Sequence, residues 1–261
     1  MEQIVQNFLT YLKGQKGATV NTIDSYARDL ASFTGYLNNN NISLDRIEPI
    51  NIIMYINNLK KDNKSISTLN RTLSSINTFI KYAYQAGDIK RMVTVSKIAM
   101  PKSQKKEKQI LTKNEITKLR GLLNSNKPAV KRDKLMFEIM YTTGLKPTDI
   151  VNLKLNEINL DLGYITVTNS KGAEEIKNLE NATLNLAKTY VSEVRSEFIK
   201  DGLVKSYGKD KDTLFLNKTG EKLSRQSVWK TFKKYADKAE IDKDLSSNIL
   251  YDSYLYHKAD R

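Results

Sequence analysis

The chain contains no cysteine and a single histidine, His257. Disulfides and cysteine-based zinc sites are therefore excluded, and one histidine cannot build a histidine metal cluster. No apolar run reaches the ~18 residues that a bilayer span needs. The opening segment, Met1 to Gln6, lacks the basic-then-apolar pattern of a secretion signal. These absences predict a cytoplasmic protein with no cofactor, no metal, no membrane partner and no small-molecule substrate.

What the chain does have is positive charge. Across 261 residues, 43 Lys and Arg face 29 Asp and Glu, a net charge of +14. Residues 1–105 carry 14 basic against 7 acidic groups, and residues 106–261 carry 29 against 22. The excess is thus +7 in each part, which excludes a basic tail as its source. Two basic folded units suit a polyanion held between them. The same charge would also suit a basic protein that is merely soluble.

The first hundred residues read as helices only. Leu9 and Leu12 mark a short one. Ile23, Tyr26, Ala27, Leu30 and Phe33 fall at helical spacing in a second, with Thr19 or Asn21 as its cap. Ile52, Ile53, Ile56 and Leu59 form a third. A fourth opens near Ser67, carries Leu69, Leu73, Ile76, Ile80 and Ala83 on its buried stripe, and stops at Gly87. Residues 101–109 are lysine-rich and nearly free of apolar side chains, as an interdomain linker is. A second unit begins at Thr112, where Thr112 and Glu115 make a capping box. Leu135 to Tyr141 reads as an apolar helix stopped by Gly144, and Ile150 to Leu155 as a helix or turn. Tyr164 to Thr168 reads as a strand, with Ile176 to Leu179 as its partner, and Leu214 to Leu216 as another short strand. Asn181 to Ile199 and Ser224 to Ala239 read as helices.

The order of these motifs resembles the tyrosine recombinase, or phage integrase, family in its Xer-like branch. Thr19–Leu30 resembles the first helical motif and Asn70–Tyr82 the second. Pro101 to Thr112 is similar to the linker. Tyr141–Leu153 is similar to the motif around the first catalytic arginine, and Lys171-Gly172 resembles the β-hairpin lysine. Leu214–Gly220 and Leu223–Trp229 match the segment ahead of the last catalytic box. The resemblance spans essentially the whole chain. It implies a mainly α fold. A four-helix SAM-like core-binding domain occupies 1–100 and a basic linker 101–109. A mostly helical catalytic-type domain with a small antiparallel β-sheet fills 110–261, incomplete at its C-terminus.

The resemblance also implies a chemistry. In the family a tyrosine attacks the scissile phosphate, two arginines clamp the non-bridging oxygens, a lysine serves as general acid and a histidine assists. Planar guanidinium forks suit such a phosphoryl centre as charge develops. In this chain Lys146 stands at the first arginine, Asn248 at the histidine and Tyr251 at the second arginine. Lys171 is the retained position. The helices bearing the family's second His or Trp and its nucleophile have no counterpart, so the nucleophile is expected to be absent. His257 falls at a non-catalytic histidine of the motif. Ser246 to Arg261 is expected to be partly helical and weakly anchored.

By the same analogy, DNA contacts are expected from Asn21, Thr22, Ser25 and Arg28 in the first motif. Ser67, Asn70, Arg71 and Ser74 are their counterparts in the second. The C-terminal domain would contribute Lys171, Lys218, Thr219, Ser224, Arg225 and Gln226. These are short polar or basic groups at helix starts and turns, suited to phosphate. The partner expected is duplex DNA. The leading expectation is a catalytically inactive DNA-binding protein of this family. Two alternatives stand beside it: a recombinase active only with a related active recombinase that supplies the missing groups, and a decaying mobile-element remnant.

Overall fold

The computed structural model describes residues 1–96, 109–168, 172–199, 211–243, 246 and 248–259. Lys171 and residues 101–108 of the expected linker lie outside the described residues. The chain divides into two compact units, Met1–Lys106 and Glu107–Arg261.

The first unit is built from four α-helices, α1 (Glu2–Gly14), α2 (Val20–Asn39), α3 (Pro49–Lys61) and α4 (Ile66–Gln85). The starts of α2, α3 and α4 each have a local cause. Thr19 caps α2, its Oγ1 accepting from Thr22 N at 3.3 Å. Pro49 opens α3 with its φ already set for a helix, and Ser65 caps α4. The expected stripe of α4 is buried, and Phe79 joins it against Phe8, Leu30, Phe33 and Ile52. Fully burying side chains of this size contributes roughly 1.5–3 kcal/mol each. One charge goes down with them: the Asp29 carboxylate, which accepts from Arg71, Thr72 and Ser75 of α4.

The second unit is centred on α6 (Pro128–Thr143), whose residues 135–141 are all buried. Such a run, apolar except for Glu138, which accepts from Arg120, belongs in the middle of a domain. Around it lie α5 (Lys113–Leu122), α7 (Pro147–Asn152), α8 (Asn181–Thr189), α9 (Arg225–Lys238) and α10 (Ile249–Ala259). The Thr112–Glu115 capping box opens α5. After α8 the chain continues through a wide turn, Tyr190–Val194, and a 3-10 turn, Arg195–Phe198. The sheet is antiparallel, in the order β1 (Ile158–Asn159), β2 (Tyr164–Thr168), β3 (Glu174–Asn178). Gly163, at φ 72°, makes the turn into β2, and Thr166 pairs with Ile176.

Two expectations are corrected. Leu214 to Leu216 does not join the sheet. Only single bridges form here, Thr213 to Lys154 just before the stretch and Leu216 to Lys222 at its end. Buried arginines hold this stretch instead: Arg195 donates to the carbonyls of Lys211, Thr213 and Leu214, and Arg132 to that of Leu216. Nor is the final helix weakly anchored. Leu111 N donates to the fully buried Ser253 Oγ at 2.9 Å, and Tyr141 Oη and His257 Nδ1 are 2.8 Å apart in the core. Apolar Ile249 and Leu250 complete the seat of α10.

Candidate active site and nucleic-acid interface

The corner between α6 and α7 holds Lys146, the residue expected at the family's first arginine. Gly144 ends α6 in the left-handed conformation, φ 72°, which a side chain disfavours. A second constraint sits above it: a Cβ at Gly144 would lie 2.4 Å from the ring of Tyr254. Lys146 follows, exposed, and precedes Pro147 at the start of α7. Its backbone N–H donates to Asp149 at 2.9 Å, so the acidic residue three positions on closes the helix start.

From the other side comes α10. Tyr251, in its first turn, is half-buried, and Lys146 Nζ sits over its ring, 4.8 Å from the centroid. The structure therefore brings together Lys146 and Tyr251, the two residues expected at arginine positions. Asn248 is exposed immediately before α10, its carbonyl accepting from Asp252 N. Lys171 lies outside the described residues, so only its neighbourhood, the β2–β3 hairpin, is placed.

Chemically, Lys146, Tyr251 and Asn248 offer an ammonium, a phenol and an amide, and Tyr254 adds a second phenol that accepts from Lys258 Nζ. The phenols deeper in the unit serve structure: burial pushes Tyr190 up to about 12, and burial with the adjacent Asp133 carboxylate does the same to Tyr235. Burial also raises the Asp133 carboxyl, against the opposing pull of Arg132. Among the described residues, no group of three His, Cys, Asp or Glu side chains could hold a metal ion. No helix among them is long and apolar enough to cross a membrane.

The expected contact residues fall into two patches. In the first unit, Arg71 Nη1 donates to the Ser25 carbonyl at 3.3 Å and to Asp29 at 2.5 Å. That tie brings Ser25 and Arg71 together across α2 and α4, and Arg28 extends to Ser25 Oγ at 3.4 Å. Thr22 is half-buried and engaged with the Thr19 cap, whereas Asn21 and Ser67 are exposed. Asn70 and Ser74 are half-buried on α4. In the second unit, Lys218 and Thr219 sit in an exposed turn with Thr219 Oγ1 donating to Asn217. Ser224 caps α9, and Arg225 and Gln226 are exposed in its first turn.

One residue was missed. Lys222 lies between that turn and α9, and its Nζ donates to Asn152 at the end of α7, 2.7 Å away. It joins the candidate contact turn to the helix that starts at the Lys146 corner. A lone lysine in a polar hairpin carries no local signal of this.

Comparison with known proteins gives these positions a context. Residues 5–87 match the family described as phage integrase, N-terminal SAM-like domain, and residues 109–254 the phage integrase family. The chain is 31% identical over 258 residues to tyrosine recombinase XerD of Staphylococcus saprophyticus, spanning 98% of this chain and 85% of that protein. It is 32% identical over 258 residues to XerD of Staphylococcus epidermidis, with the same coverage. Two solved structures share the fold at 17% identity. One is XerH site-specific recombinase bound to palindromic difH substrate, with a TM-score of 0.71 over 98% of this chain and 75% of that one. The other is a lambda integrase dimer bound to a COC' core site, with 0.69 over 99% and 70%.

Proposed function

The chain belongs to the phage integrase family of tyrosine recombinases, proteins of DNA recombination, and on that premise we propose that it binds duplex DNA with both units and leaves the strands uncut. One observation carries the reading. Where the family places two phosphate-clamping arginines, Lys146 rests its ammonium on the ring of Tyr251. An ammonium has no planar fork to meet two phosphate oxygens at once, and a phenol brings no positive charge. The Asn248 amide neither gains nor loses a proton at neutral pH. Losing a single transition-state donor typically costs ~3–4 kcal/mol, or about 10²–10³ in rate. Here three positions differ together.

Binding has separate support. Both parts of the sequence carry an excess of positive charge. The candidate residues Asn21, Arg28, Ser67, Lys218, Thr219, Arg225 and Gln226 are exposed. XerH and lambda integrase, which share the fold, were solved on their DNA sites. On this reading residues 1–100 are the core-binding domain, 101–109 the linker and 110–261 the catalytic-type domain, with Lys171 retained. The protein then works in the cytoplasm, where its DNA is.

A nicked suicide duplex tests both halves. Gel shift should reveal binding that weakens by ~10³–10⁵ between 50 and 200 mM salt, as for about six to ten phosphate contacts. Denaturing gels should reveal no protein–DNA adduct. A flat salt profile would overturn the binding half, and an adduct, alone or only beside an active relative, the uncut half.

A further inference from the structure

Lys146 and Tyr251 stand far apart in sequence, yet an ammonium 4.8 Å from a ring centroid is well within the ~6 Å reach of a cation–π contact. One turn further along α10, Tyr254 covers Gly144 so closely that no Cβ would fit. Residues three apart share a helix face, so α10 lays two consecutive rings over the Gly144–Lys146 corner. The charge logic is the reverse of a phosphate clamp. Two arginines at these positions would repel each other until an anion came between them. A lysine on a tyrosine face is attractive with no anion present.

We propose that Lys146 and Tyr251 act as one unit, a cation–π tie that fastens the start of α7 to the first turn of α10 and restrains the Lys146 charge from an incoming phosphate. The tie stands on the geometry alone; the restraint rests on the reading that this corner faces DNA. Tyr251 is then a positioning residue that acts through Lys146. A phosphate that draws the ammonium to itself must first take it off the ring, so the protein resists DNA at this one point.

The test is a double-mutant cycle on the full chain with Lys146→Met, Tyr251→Leu and both together, read by urea unfolding and by duplex affinity. Each single change should lower the folding constant about two- to fivefold, and the pair should cost no more than one of them. Tyr251→Phe and Lys146→Arg keep a ring and a cation and should preserve the coupling. Tyr251→Leu should tighten duplex binding about two- to fivefold at low salt, a gain that disappears when Lys146→Met is added. Additive losses in folding overturn the tie. Coupled folding with unchanged affinity in Tyr251→Leu overturns the restraint. If the parent chain binds no duplex, the DNA reading fails while the folding cycle still judges the tie. Should Tyr251→Leu not fold, the unaltered chain decides by NMR: Lys146 side-chain protons shifted upfield by the ring support the tie, and unshifted protons overturn it.

Discussion

Each unit ties its elements together through a buried charge, Asp29 in the first and, among others, Arg195 in the second, of opposite sign and with different partners. In the first, the Asp29 carboxylate accepts from three side chains of α4, those of Arg71, Thr72 and Ser75, at 2.5, 3.2 and 3.3 Å. In the second, the buried Arg195 guanidinium donates to backbone carbonyls, reaching Lys211 at 2.7 Å and Thr213 at 2.8 Å. The difference follows from what has to be held. Two regular helices satisfy most of their own backbone, so side chains do most of the joining, with Arg71 also reaching the Ser25 carbonyl. The irregular stretch 211–216 pairs only part of its backbone, Asp212 O with Leu155 N and Leu214 N with Leu153 O, and a fork of donors takes the carbonyls of Lys211 and Thr213. The two ties also differ in their exits. The Arg71 side chain is 40% exposed and can turn to water or to phosphate, whereas Arg195 is 6% exposed and cannot.

The largest expected effect tests that difference directly. Arg195→Met leaves the Lys211 and Thr213 carbonyls without this donor, while Leu214 keeps Tyr190 Oη, and should cost about 3–5 kcal/mol, at ~1–3 kcal/mol for each abandoned carbonyl. Urea unfolding of the full chain reads it. A loss under about 1 kcal/mol would mean that stretch 211–216 is satisfied some other way. Next comes a contact of a third kind, ring on backbone. Gly144→Ala meets both the left-handed backbone and the Tyr254 ring, so a loss of roughly 2–4 kcal/mol is expected. Thermal unfolding checks it. Adding Tyr254→Ala should recover part of the loss but not the share owed to φ.

How far these features were legible depends on their range along the chain. The helices were legible where apolar stripes and caps are local, as with the Thr19 cap in the first unit and the Thr112 cap in the second. The corner at Lys146 was legible as a departure from an expected residue. The ties were not. Tyr141 meets His257, and Leu111 meets Ser253, across more than a hundred residues, where no local periodicity reaches. That is why α10 reads as frayed and proves seated. Leu214 to Leu216 misled for a different reason. A short apolar run signals burial, and burial was correct, but nothing in the run says whether a strand or an arginine will take its carbonyls.

The exit available to Arg71 predicts a milder set of losses in the first unit. Asp29→Asn should cost only about 1–2 kcal/mol, because the released guanidinium can hydrate. Arg71→Ala and Arg28→Ala then separate two roles that sequence alone could not. Arg71→Ala should lower both stability and duplex affinity, since it abandons a buried carboxylate. Arg28→Ala should lower affinity alone, its one described partner being Ser25 at 3.4 Å. Unfolding curves and gel shifts on the same preparations settle it. Equal stability losses would break the distinction.

The smallest effect asks whether the contrast belongs to the chemistry or to the unit. Glu115 places a carboxylate-centred tie in the second unit: its Oε2 accepts from Lys243 Nζ at 2.5 Å and from Thr112 N at 2.7 Å. Burial alone would raise the carboxyl, but the bonds from Lys243 and Thr112 prevail and hold it below its usual value. A carboxyl depressed in the folded state contributes stability that is fully present above its unfolded pKa. That stability is lost as pH falls through the folded value. The window therefore opens near pH 4.5, the ordinary value for this group, and runs downward. Lys243 and Glu115 are both partly solvated, so the contribution should stay under about 1 kcal/mol. Glu115→Gln should lower the unfolding temperature at neutral pH and leave a shallower acid limb, so that parent and variant converge as pH drops. If carboxylate ties are mild wherever they occur, Glu115 will resemble Asp29 despite sharing a unit with Arg195. A Glu115→Gln loss as large as that of Arg195→Met would instead make the second unit itself the fragile one.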